Sequence, residues 1–331
     1  MLFSKILSDR HYQKWPSWHI VYEWEDEISH SLNIPIIDSP VSNNSLFKRC
    51  KSIDNKLFNG ILFEYLYEIF NDKAEHSIYF QMYPKSFRDF SNRGNVIPVI
   101  VDFWAKSNCE QFRSLYCKCP YILITSLEVI NYLKYNHNMN NLVHFPMSLP
   151  SFYKLSYDKI FKKRYDMVLA GRANSVLWNF LKNYETEYPG IEFLYQIQKE
   201  GELYYVSNRG GRAIKVHSRE KYISLIRSAK VAFYATPGMD EGMIRTNGFN
   251  PVTPRLFEIL SAGCHVIARY PKNEDTDYFN LETICPSIES YDDFKKQLNI
   301  ALNSPQPIRR NADYLEQHYT SNRIEILKEI I

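Results

Sequence analysis

Long hydrophobic runs are missing from this sequence. The opening "MLFSKIL" is far too short to span a bilayer, and no apolar run of about 18 residues occurs elsewhere, so no membrane-spanning helix is expected. Zinc-type cysteine spacing is missing as well. The six cysteines, Cys50, Cys109, Cys117, Cys119, Cys264 and Cys285, form no C-x-x-C pair, and the single residue between Cys117 and Cys119 suits zinc poorly. No secretory leader is evident, which points to reduced thiols and a cytoplasmic setting. A charge excess of one sign is also missing. The formal net charge is +3 and no strongly basic domain stands out, which argues against a nucleic-acid partner. No internal repeat is visible.

What is present is a globular composition, 45% hydrophobic and 23% charged, on 331 residues, a length that suits two domains. Aromatics make up 15%, with 25 Tyr and 20 Phe. A sugar- or base-stacking surface would account for them, and so would an AT-rich genome. Local basic clusters occur at Phe47 to Lys51, Lys85 to Arg88 and Lys159 to Arg164. Each reads as a solvated face. Together they keep open a peripheral contact with the inner face of an anionic cytoplasmic membrane.

Short apolar runs alternate with longer helical patterns, the signature of an α/β fold with mostly parallel strands. Strands are expected in 3–8, 34–38, 77–83, 96–103, 121–126 and 142–146, with helices over 17–32, 59–70 and 127–136. Trp15, Trp18 and Tyr22 share helical spacing and read as core packing, with an acceptor surface as the other reading. The rhythm breaks after Pro146 and restarts with "YDMVLAG". Four divisions follow: 1–150 as a first Rossmann-like domain, 151–164 as a crossing, 165–304 as a second Rossmann-like domain, and 305–331 as a helical tail. In the second domain strands are expected at 165–171, 191–197, 213–217, 230–235 and 265–270, with helices at 175–188, 218–229 and 290–302.

The densest chemistry lies in "NPVTPRLFEILSAGCHVI", Asn250 to Ile267. Pro254 suits the first helical position and Thr253 the N-cap. A helix over Pro254 to Ala262, closed by Gly263, would offer unpaired amides at a positive end, which suits phosphate. Arg255 and Glu258, three residues apart, share an edge. Arg255 could neutralise phosphate and Glu258 could accept hydrogen bonds from ribose hydroxyls, or the two could form a plain surface pair.

Three further stretches bear on the same site. In "VLAGRANS" an apolar strand ends in Gly171 and Arg172, where glycine lets a backbone approach a ligand and Arg172 could reach a diphosphate. In "GGRAIKVHS" the strand end carries Lys215 and His217, which could flank a base pocket or lie on the surface. In "DEGMIRTNGFN" Arg245 and Asn250 could touch a transferred group, or belong to a flexible loop. The triplet Asp275-Thr276-Asp277 reads as solvated loop. Asp102, at the end of "VIVDFW", and His11, in the first strand–helix loop, are candidate bases. Asp102 could equally cap a turn, and His11 could contact an acceptor.

The run from Tyr165 to Tyr270 resembles the C-terminal half of GT-B glycosyltransferases. Its R-x-F-E-x-x-(A/S)-x-G element, here Arg255, Phe257, Glu258, Ser261 and Gly263, looks like that of family-1-like bacterial proteins related to spore-maturation glycosyltransferases. The resemblance implies two Rossmann-like domains facing a cleft, with C-terminal helices returning to the first domain. It implies sugar transfer from a nucleotide-diphosphate sugar to a glycan or lipid-linked acceptor, in bacterial surface polysaccharide (O-antigen, capsule or lipopolysaccharide) biosynthesis, with no bound metal or other cofactor. By position, Glu258 would bind ribose. Gly171 and Arg172 would meet the diphosphate, and the amides around Val252 and Thr253 would hold the distal phosphate. Where one branch carries a glutamate eight residues ahead of Glu258, this chain has Asn250. Two other readings stay open: a sugar-nucleotide epimerase of similar fold, and a non-catalytic partner subunit that kept the fold.

Overall fold

The structure is a computed structural model, and it describes residues 2–39, 49–50, 52–54, 57, 75–84, 95–104, 106–171, 173–241, 246 and 248–330. The expected helix over 59–70 and the basic clusters at 47–51 and 85–88 lie wholly or mostly outside those residues, as do Arg172 and Arg245. The chain divides into two compact units, Met1–Pro146 with Ser321–Ile331, and Met147–Thr320.

The first unit is built on six parallel strands in the order β2-β1-β3-β4-β5-β6. They are β1 (Leu2–Ser8), β2 (Ile36–Asp38), β3 (Glu75–Gln81), β4 (Val96–Ile100), β5 (Ile122–Ile124) and β6 (Leu142–His144). Helices α1 (His19–Leu32), α2 (Cys109–Tyr116) and α3 (Leu127–His137) flank the chain between strands. Buried strand positions run continuously, Ile78 to Phe80 and Ile122 to Ile124 among them, as expected for a sheet covered on both faces. Of the aromatic stripe, Trp18 is buried and Tyr22 half-buried, whereas Trp15 is exposed and precedes the helix. Asn33, in the left-handed conformation at φ 53°, ends α1.

The second unit has the order β10-β9-β8-β7-β11-β12. Its strands are β7 (Tyr165–Val168), β8 (Phe193–Lys199), β9 (Glu202–Ser207), β10 (Ile214–Lys215), β11 (Ala229–Ala235) and β12 (His265–Arg269). β9 pairs antiparallel with both β8 and β10, and the other neighbours are parallel. The sequence reading passed over β9. Helices are α4 (Ser175–Glu187), α5 (Arg219–Arg227), α6 (Arg255–Ser261), α7 (Glu274–Tyr278), α8 (Leu281–Ile284), α9 (Tyr291–Asn303), α10 (Ile308–Leu315) and α11 (Thr320–Glu329). All but the first residue of α11 belong to the first unit.

Side-chain caps set several starts. Asn174 accepts from the Leu177 amide at 3.0 Å, and Ser218 accepts from that of Lys221 at 3.1 Å. The core of this unit gathers Met167, Leu177, Leu181, Phe193, Val231, Ile267, Phe294 and Leu298. The triplet Asp275-Thr276-Asp277, read as solvated loop, lies instead in the short helix α7. Asn273 and Thr276 form a reciprocal capping box there, and Asp275 is buried with only Asp277 of the triplet's two carboxylates exposed.

Candidate functional site

In the second unit the sheet order reverses at β7, with β8 on one side and β11 on the other. Open α/β sheets bind ligands outside the carboxyl ends of the strands at such a switch point. The chain leaving β7 carries Gly171, and the chain leaving β11 leads through Asn250 and Thr253 to α6. Gly171 takes φ +77°, a conformation that costs little only without a Cβ. A Cβ built there would lie 2.5 Å from an Arg255 guanidinium nitrogen and 2.7 Å from its carbon. The glycine and the arginine singled out in two separate stretches of sequence are therefore in direct contact.

Residues that the sequence reading missed complete this cluster. The Gly171 amide donates to the Tyr205 hydroxyl at 2.9 Å. Tyr205 comes from β9 and is 1% exposed. Burial pushes its hydroxyl up to about 12, partly offset by the Gly171 amide and Arg255, so it stays protonated and keeps a proton to donate. Arg219, the first residue of α5, meets Glu258 at 2.6 Å, with both side chains largely buried. Its guanidinium also lies 5.7 Å from the Tyr153 ring centroid and 5.8 Å from that of Tyr222. Burial, with Glu258 and Tyr205 nearby, holds the Tyr222 hydroxyl well above the ordinary tyrosine range. The signal for Arg219 was local, since it directly follows the cap Ser218. Tyr205 gave none without β9.

Several expectations change on this geometry. Glu258 does pair with an arginine, but with Arg219 and not Arg255. The helix spans Arg255–Ser261 with Pro254 at the cap position and no side-chain cap, so Thr253 is not the N-cap. The Thr253 amide donates to the Tyr234 hydroxyl at 3.1 Å, and so is already engaged by the end of β11. Val252 is buried. Asn250 is also buried, and its side-chain oxygen accepts from the Gly238 amide at 2.7 Å. That bond ties the two arms of the β11–α6 connection together. A Cβ at Gly238 would sit 2.7 Å from Thr246 and 2.8 Å from the Phe249 carbonyl, so the turn closes only on glycine. His217 is exposed, one residue before the cap of α5. Leu256, Phe257, Ile259 and Leu260 are buried and anchor α6.

The candidate bases lie in the first unit. His11 is exposed in the turn after β1, and Asp102 is half-buried just beyond β4. β3 separates the two strands in the sheet. The Asp102 amide donates to the Met82 carbonyl at 2.5 Å. The β1–α1 turn also carries a network the sequence did not suggest. Ser8 donates to buried Glu25 at 2.6 Å, and Arg10 reaches Glu25 at 2.9 Å and Asp26 at 2.8 Å. Burial pushes the Glu25 carboxyl up to about 7, against the pull of Ser8 and Arg10.

No protein-family model matches this sequence, and no curated protein matches it. Solved structures do. A glycosyltransferase from Rickettsia africae ESF-5 is similar over 99% of this chain and 97% of its own, at 9% identity and a TM-score of 0.54. The S. aureus MnaA–UDP structure is similar over 100% and 96%, at 9% identity and 0.50. The GtfA/B complex is similar over 81% of this chain at 12% identity and 0.50, and this chain spans 59% of that chain's length. At these identities the likeness is one of fold. The protein has the α/β fold of the GT-B class, with a parallel-dominated sheet in each unit. Among the described residues, no helix is long and apolar enough to cross a membrane.

Proposed function

We propose that the second unit binds a nucleotide-diphosphate sugar and that the protein is a glycosyltransferase. The observation that carries this reading is the contact of Arg255 with Gly171 at the sheet's switch point, with Glu258 on the same short helix. A guanidinium beside an open glycine backbone suits a diphosphate, and a carboxylate one turn away suits a pentose diol. The fold shared with a glycosyltransferase and with a UDP-bound protein supports the same reading.

In this reading Gly171, Arg172 and Arg255 meet the diphosphate, and Glu258, oriented by Arg219, receives the ribose hydroxyls. Val252, Thr253 and Asn250 shape the connection that borders the distal phosphate. Arg245 would touch the transferred group, and His217 would flank the base. Departure of the nucleoside diphosphate builds positive character on the sugar ring, and fixed cations stabilise the charge that leaves. No metal is required for that step. Asp102 or His11 of the first unit would take the proton of the acceptor hydroxyl. The acceptor is a glycan or a lipid-linked glycan of bacterial surface polysaccharide biosynthesis, made on the cytoplasmic side. The R-x-F-E element supports a finer likeness to spore-maturation glycosyltransferases.

Incubation with a panel of nucleotide sugars tests the reading. Donor hydrolysis or transfer is expected. Isomerised donor without transfer would replace it by the epimerase, and binding without turnover by the partner subunit.

A further inference from the structure

The stretch before β7 lies along α10 in the second unit as a strap running the opposite way. The Leu155 amide donates to the Tyr319 hydroxyl at 3.1 Å, Lys154 meets Glu316 at 2.7 Å, and the Tyr157 hydroxyl donates to Asp313 at 2.7 Å. Phe161 is held at both backbone groups by Gln306, at 3.2 and 2.8 Å. Tyr153, Leu155 and Phe161 point inward and are buried. Three large side chains are left on the outer edge: Phe152 at 66% exposure, Tyr157 at 65% and Ile160 at 82%.

Single exposed apolar residues are ordinary on a protein surface. Here three fall within nine residues of one anchored segment, and cations surround them. Lys154, Lys159, Lys162 and Arg164 on the strap are exposed, as is Arg309 on α10, whose guanidinium lies 6.0 Å from the Tyr157 ring centroid. The acidic groups along this edge are Asp158, Asp313 and Glu316. Glu316 is neutralised by Lys154, which leaves four cations and two carboxylates on this edge.

We propose that this strap docks on an anionic lipid bilayer. Phe152, Tyr157 and Ile160 would enter the headgroup–acyl boundary, as amphipathic aromatic and aliphatic side chains do at interfaces. The lysines and arginines would hold the negative headgroups, their stems lying along the apolar side chains. Charge complementarity selects this occupant: a second copy of the same edge would set cation against cation. Phe152, Lys159, Ile160 and Lys162 make no contact with Gly171, Arg255 or Glu258, although the strap reaches the donor cluster through Tyr153, whose ring lies 5.7 Å from the Arg219 guanidinium.

The test is co-sedimentation of the full chain with phosphatidylglycerol vesicles and, separately, phosphatidylcholine vesicles. The expected result is binding to the first at low salt, release at high salt, and no binding to the second. Two double variants, Phe152→Ser with Ile160→Ser and Lys159→Glu with Lys162→Glu, should each weaken binding by about tenfold or more while leaving the melting temperature unchanged. Absence of binding to phosphatidylglycerol would overturn the proposal. So would equal binding to both lipids, or binding that neither variant weakens. A nucleoside-diphosphate thermal shift on the same samples reads the donor site separately, so failure of one reading is distinguishable from failure of the other.

Discussion

Gly171 has little room for change. Alanine there would meet both a left-handed backbone and the Arg255 guanidinium. Gly171→Ala should therefore cost about 1–3 kcal/mol in urea unfolding. It should also remove any response to a nucleoside diphosphate. A variant as stable as the parent would mean that Arg255 moves aside freely. Glu258 needs a different substitution from the one its sequence context suggests. Glu258→Ala would strand Arg219 in a largely buried position, costing about 3 kcal/mol, and so would mix folding with binding. Glu258→Gln keeps an oxygen for Arg219 and isolates the ribose contact. Gly171, Arg255 and Glu258 were legible because each sits in a local pattern of strand–glycine or proline–helix. Tyr205 was not, because its strand was not read and Gly171 lies far away in the chain; the position of Arg219 beside the Ser218 cap was readable, but its pairing with distant Glu258 was not.

At the scale of elements, β9 decides how the site is closed. Its alternation in "ELYYVS" is short and follows a Glu-Gly turn, so periodicity alone did not separate it from a loop. Tyr205→Phe removes the acceptor of the Gly171 amide and should cost about 1 kcal/mol, with faster hydrogen exchange at that amide. Unchanged exchange would show the amide satisfied by another group. The start of α6 was misplaced by about a residue for a physical reason: the Tyr234 hydroxyl captures the Thr253 amide, which no local propensity reveals.

In the first unit the β1–α1 turn makes a pH prediction. Glu25 holds its proton more tightly folded than unfolded, since burial raises it from 4.5 to about 7. Its contribution is complete below the ordinary carboxyl range and is lost as pH rises to about 7. Urea unfolding should show stability falling across that window by about 3 kcal/mol, and Glu25→Gln should flatten the slope. A slope retained in the variant would assign the effect to another group.

At the scale of the whole molecule, the alternation of apolar runs with helical periods conveyed the α/β class and the restart near Tyr165. Both sheets follow from it, because buried parallel strands need continuous Val, Ile, Leu and Phe runs. The antiparallel strand β9 and the short helix α2 were less visible, being brief and polar on one face, whereas β10 falls within the strand expected at 213–217. The fold alone is shared by transferases and by other proteins that bind nucleotides, so function rests on the cluster at the second unit's switch point. The most direct measurement is a thermal-shift titration of the parent chain and Glu258→Gln with UDP and the other nucleoside diphosphates. A donor site predicts that one nucleotide raises the parent's melting temperature, equivalent to about 2.7 kcal/mol at a hundredfold excess over Kd. It predicts that Glu258→Gln, equally stable alone, loses most of that rise. A parent chain indifferent to every nucleoside diphosphate, or a variant that responds as the parent does, would contradict it.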